Sequence, residues 1–174
     1  TPEAPLFATL LEAIAAWNAH AAANPAAFGL ICLMDSGTYA EPLAGAGRLQ
    51  APRDGRLALV AADWPRFDQP GLPPSLLGRH LGELVADNLR PHVLGAVEVG
   101  GEGEIVLDGL LVEGQLTVPP DDLARLTLNH CTLVPAAGGL LVQAAPGAGT
   151  ANDRLVVELF RSIVGPVVVP DTAR

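Results

Sequence analysis

The 174-residue chain is 49% hydrophobic and 17% charged, a balance that excludes a disordered tail. Its net charge of −9 offers no basic footprint for phosphate backbones or anionic lipid surfaces, so neither nucleic acid nor a membrane is an expected partner. No apolar run approaches the roughly 20 residues of a transmembrane helix.

Aromatics make up only 4% of the chain, so its core has to be aliphatic, while 19 glycines and 16 prolines suit short strands joined by tight corners. Thr1-Pro2-Glu3 reads as a helix start, with a hydroxyl cap, a proline at the first position and an acid near the positive end of the dipole. Phe7, Leu10, Leu11, Ile14 and Trp17 follow as one apolar stripe, and Asn24-Pro25 closes the helix after Ala23. The polar face carries no basic residues, so the stripe is expected to cover a core and not a membrane. Phe28 to Met34 then reads as a buried strand, followed by a turn around Gly37-Thr38-Tyr39 and the acid Glu41.

An amphipathic helix, an apolar strand and a Gly-Thr-Tyr turn with a following acid resemble the N-terminal cap and first turn of the right-handed parallel β-helix (pectate-lyase-like) superfamily. In that superfamily the helix plugs the open end of the solenoid. The need is physical, since an open end exposes apolar core and unpaired strand edges.

Arg56 to Ala61 alternates as a half-buried strand should. The pattern then breaks: residues 63–92 are proline-rich, too long for a corner, and carry Leu77, Leu81, Leu84 and Val85 at helical spacing. Strands resume at Val93-Leu94 and Val97-Glu98-Val99, and the second half of the chain is repetitive. Clusters at 105–107, 110–112 and 116–118 return at 126–128, 131–133 and 140–142, and again at 157–159, 162–164 and 167–169. Leu107, Leu128 and Leu159 hold equivalent places, with a loop at 143–153 lengthening the later interval. A unit of about 20 residues with three small strands is one turn of a parallel solenoid.

The stretches Val106–Gly114, His130–Pro135 and Arg161–Pro166 resemble large bacterial proteins of phage-tail-like and contractile-injection loci. That resemblance implies a fold and a bacterial cytoplasmic or assembled tail-like setting, and it brings no catalytic residues with it.

Catalysis finds little support in the residue pattern. Sugar-cleaving β-helix enzymes need carboxylates at controlled separation, yet Asp108 aligns with Asn129 and Phe160, Glu158 aligns with Thr127 and Val106, and Glu113 stands apart. Asp121-Asp122 follows Pro119-Pro120 and reads as a solvated corner. Arg125 and Arg161 have no aligned acid cluster. His20, His80, His92 and His130 lack metal-ligand spacing, and His130-Cys131 in one strand would point to opposite faces. Cys32 and Cys131 read as buried thiols. The Gly-rich pieces lack the Lys-Ser/Thr of a phosphate loop. Neither a metal nor a cofactor is expected.

Recognition has a better candidate in the insertion. Trp64, Arg66, Phe67 and Asp68 concentrate aromatic and charged groups in a loop over a rigid scaffold. The expected architecture is all-β: one right-handed parallel β-helix domain over 1–174. It comprises a capping helix at 1–24, first turns at 28–62, the insertion at 63–92 and regular turns at 93–174. The chain opens without Met, and Val167-Val168-Val169 precedes no cap, so a longer parent solenoid is expected. The expected role is a non-catalytic structural or recognition module of a tail-like or surface assembly, meeting protein partners or itself through the C-terminal edge. The alternative is a carbohydrate-active domain that binds or cleaves polysaccharide.

Overall fold

A computed structural model of the chain describes residues 5–62, 90–145 and 151–170. It is mostly β, with one α-helix and three parallel sheets among the described residues. The helix α1 (Leu10–Ala23) precedes fourteen strands that visit the three sheets in rotation. Sheet A stacks β1 (Phe28–Leu33), β4 (Arg56–Ala61), β7 (Glu104–Asp108), β10 (Arg125–Asn129) and β13 (Val156–Phe160). Sheet B stacks β2 (Thr38–Tyr39), β5 (His92–Leu94), β8 (Leu111–Glu113) and β11 (Thr132–Leu133), with Ile163 bridging to Thr132 in the next layer. Sheet C stacks β3 (Leu49–Ala51), β6 (Val97–Gly101), β9 (Gln115–Val118), β12 (Gly139–Val142) and β14 (Val167–Val168). Each of the first four coils thus contributes one strand to each face, and the last adds strands to sheets A and C and a single bridge to sheet B, a solenoid-like winding.

The register is the one the repeats imply. Leu59, Leu107, Leu128 and Leu159 pair in series, and so do Leu57, Ile105, Leu126 and Val157. These inward residues alternate with more exposed outward ones, giving the two-residue burial period of β4, β7 and β10. Sheet C adds Val97, Leu116 and Leu140, and sheet B adds Val93, Val112 and Leu133, all buried in one aliphatic core.

Some N-terminal expectations need correction. Residues 1–4 lie outside the description, and the helix begins at Leu10, capped by Thr9 in a reciprocal box with Glu12. A complete capping box nearer the apolar run supplies the helix start that Thr1-Pro2 was expected to give, and Phe7 stays exposed ahead of it. Leu10, Ala13, Ile14, Trp17 and Ala21 are the buried face. The helix is tied to the first coil: Trp17 Nε1 donates to the Gln50 carbonyl at 2.7 Å and Asn18 Nδ2 to the Arg48 carbonyl at 2.9 Å. Glu41 accepts from the backbone N–H groups of Leu10 and Leu11, satisfying donors at the helix N-terminus.

Trp17 also explains Gly29, where a Cβ would lie 2.3 Å from the indole ring. Thr38-Tyr39 forms a strand and not a turn. β1, expected to be buried, shows one buried residue, Leu33. It is the edge of sheet A, so only its inward residues meet core, and its outward residues Phe28, Leu30 and Cys32 face solvent. Cys32 is therefore exposed, against expectation, while Cys131 is buried as expected.

Candidate functional site

The insertion residues Trp64, Arg66, Phe67 and Asp68 lie outside the described residues. Their flanks are placed. The chain leaves β4 at Ala62, whose N–H donates to the Leu33 carbonyl at 2.8 Å, and returns at Arg90, whose guanidinium donates to the His130 carbonyl at 2.6 Å. Both points lie where sheet A turns into sheet B, and that corner gathers the described polar groups that could serve recognition.

Every coil bends there. In three successive coils the bend is made by Gly109, His130 and Arg161, at φ of 77°, 51° and 48°. The left-handed conformation at His130 corrects the expectation that it alternates with Cys131 inside a strand: it is a corner residue. Its Nδ1 lies 3.3 Å from Asp108 Oδ1, and Asn129 Nδ2 donates to Asp108 Oδ2 at 2.9 Å. Beside this group, His92 Nε2 lies 3.1 Å from Glu113 Oε2, and its Nδ1 lies 3.3 Å from the Thr38 hydroxyl. Asp35 accepts from Tyr39 Oη and from the Gly37 N–H, both at 2.8 Å. These two bonds hold its carboxyl below the usual aspartate range, with the Gly37 amide the larger cause. Tyr39 is pushed up to about 12, first by burial and then by Asp35.

The outer face of sheet A carries a second arrangement. Arg56 NH2 meets Glu104 Oε2 at 2.8 Å, Arg125 Nε lies 3.6 Å from Glu104 Oε1, and Arg125 NH1 meets Glu158 Oε1 at 2.7 Å. Acid and base alternate from coil to coil. The hydrogen bond from Arg125, helped by one from Thr127, lowers the Glu158 pKa. Arg125 was expected to face no acids and faces two, a correction to the sequence reading. Arg56, Glu104 and Arg125 all sit three residues before the aligned leucines, so carrying the alignment three places further exposes the ladder.

The remaining sequence candidates are dispersed. Asp121 lies 3.0 Å from both Arg48 NH1 and the Gly101 N–H, and Asp122 lies 3.1 Å from Arg154 Nε. This corner is tied to neighbouring coils and not merely solvated. Cys131 donates through Sγ to the Leu107 carbonyl at 3.3 Å, and burial pushes its thiol up to about 11, so it stays a protonated core group. Among the described residues no three His, Cys, Asp or Glu side chains gather as a metal site, and no helix is long and apolar enough to cross a membrane.

Comparison with protein-family models, with curated proteins and with solved structures returns no match.

Proposed function

We propose that this chain is a non-catalytic structural or recognition module, a right-handed parallel β-helix of the pectate-lyase-like kind serving a larger tail-like or surface assembly. The observation that carries this reading is the use made of the candidate carboxylates. Asp108, Glu113, Asp121, Asp122 and Glu158 each face a histidine or arginine on another coil. Carboxylates arranged in this way link coils. A glycosidase needs one carboxyl with a raised pKa to act as acid, whereas Glu158 is shifted the other way.

The last coil supplies a surface for protein partners. Leu159, Phe160, Ile163, Val167, Val168 and Val169 are all exposed there, and sheet A ends at β13 with no further strand among the described residues. The sheet A to sheet B corner, which the chain leaves at Ala62 and rejoins at Arg90, is where recognition specificity would reside.

Incubation with a panel of acidic and neutral polysaccharides, read by release of reducing ends, tests the reading. No release is expected, and Asp108→Asn and Glu158→Gln are expected to lower the melting temperature. Release by the wild-type chain that either substitution abolishes, with the fold retained, would make the carbohydrate-active alternative the better account.

A further inference from the structure

Building on the reading of the last coil as a surface for protein partners, we propose that the partner it receives is itself a parallel β-solenoid, docking end-on through a coil that no helix covers. The exposed residues of the last coil are core residues by position. Leu159 continues the column of Leu107 and Leu128, and Val167 continues that of Leu116 and Leu140, yet they are 43% and 46% exposed. What they lack is a layer above them.

Two kinds of cover occur in this molecule, a helix over the first coil and another coil over those that follow, and they leave different marks. One inward column of sheet A runs Gly29, Leu57, Ile105, Leu126 and Val157. Beneath the helix it holds glycine, because a Cβ at position 29 would stand 2.3 Å from the Trp17 ring. Between two coils it holds leucine or isoleucine. Val157 belongs to the second kind, keeping a branched side chain where a capping indole needs a gap. The backbone agrees. Val156 N–H donates to the Ala124 carbonyl at 3.0 Å and the Phe160 carbonyl accepts from His130 N–H at 2.9 Å, so the alternate residues Val157 and Leu159 turn their N–H and C=O groups to the free edge. A strand in register satisfies those groups, whereas a helix has spent its own backbone groups internally.

Charge narrows the partner further. Glu104 takes an arginine from each neighbouring coil, Arg56 at 2.8 Å and Arg125 at 3.6 Å. Glu158 takes Arg125 from the coil below, so a basic residue on the docking coil repeats what Glu104 does between its two neighbours. A second copy of this chain does not meet these requirements. Its first coil is tied to α1, and its residue in the Arg56 column is Phe28, which is uncharged. Two last coils facing each other about a twofold would run antiparallel and, centred on β13, would set Glu158 against Glu158.

The test supplies a coil as the probe. A copy of residues 119–142, which hold one corner and the strands β10 to β12, is joined to the chain after Val169 in place of residues 170–174. A second extension carries instead a copy of the capping helix, residues 9–24, on a glycine-serine linker. The coil extension is expected to raise the melting temperature by at least about 5 °C and to slow hydrogen exchange at the Val157 and Leu159 amides by at least about 100-fold. Arg125→Glu in the appended copy alone should remove half of the thermal gain or more. The helix extension should leave both amides exchanging as in the parent chain, and the parent should stay at monomer mass in light scattering over a concentration series. An appended coil that protects neither amide, one indifferent to Arg125→Glu, equal protection by the helix, or a parent dimer that Val168→Lys abolishes would each overturn the proposal. Protection by the helix or a parent dimer would leave the last coil a partner surface of another kind, whereas protection by neither extension would remove that reading as well. Release of polysaccharide ends bears on neither, so the reading of the carboxylates fails separately.

Discussion

The middle coils and the last coil are made of the same kind of residue, in register, yet they bury it to different extents. Leu107 and Leu128 are 1% and 0% exposed, while Leu159, their equivalent one layer on, is 43% exposed. Burial in this fold is conferred by the layer above as much as by the residue itself. A leucine between two layers has apolar contacts on both sides, and one at the end of the stack has them on one. That is the nearest-neighbour energetics of a repeat protein.

The comparison breaks most clearly at Leu128. Leu128→Asp should lose roughly 1.5–3 kcal/mol of side-chain burial and add the cost of an unpaired carboxylate between apolar layers. In urea unfolding, Leu159→Asp should cost less than half as much. Thr127→Asp, one residue away on the outward face, loses the hydrogen bond to Glu158 and sets a like charge opposite it, yet should cost less than Leu128→Asp. If Thr127→Asp proves the more damaging of the neighbouring pair, the inward register is wrong.

A smaller effect sharpens the comparison at the corner shared by Gly109, His130 and Arg161. Arg161 is an exposed residue held in a left-handed conformation that a glycine occupies two coils earlier. Arg161→Gly should therefore be neutral or stabilising by up to about 1 kcal/mol, and Gly109→Ala destabilising by a similar amount. Thermal melts of the two single variants measure both, and equal signs would show that the corner is not one conserved bend.

The smallest effect concerns pH. Glu158 is depressed by Arg125, so its contribution to stability is present above the ordinary glutamate pKa and disappears as pH falls through the lowered folded value. Melting curves of the wild-type chain and Glu158→Gln should differ at neutral pH and converge in acid. A gap that widens on acidification would assign the stabilisation to some other group.

The sequence carries the coils because inward residues must repeat at one spacing to stack, and Leu107, Leu128 and Leu159 announce that spacing. It is less explicit about the first coil, where neighbours are unequal. Phe28, Leu30 and Cys32 look like core in a linear reading, and only the one-sided pairing of β1 shows that they point outward. The helix start was obscured for a similar reason: Thr1 and Thr9 both suit a cap, and Thr9 has Glu12 three residues on. The arginine–glutamate ladder was legible in principle, because Arg56, Glu104 and Arg125 share one aligned column, but it lies outside the apolar clusters that made the repeat visible. The insertion residues that the sequence singles out, Trp64, Arg66, Phe67 and Asp68, lie outside the described residues.

The coil that carries the insertion runs from Arg56 to Glu104, whereas the next needs only the interval from Glu104 to Arg125, and the same glutamate pairs with both arginines. Contour length is thus free to vary while the pitch of the stack is held. The strands before Ala62 and after Arg90 keep the same partners above and below despite the longer interval between them. Coils of unequal length thus share one stack, so relatives of this chain could differ in length at that one corner while keeping every layer in place.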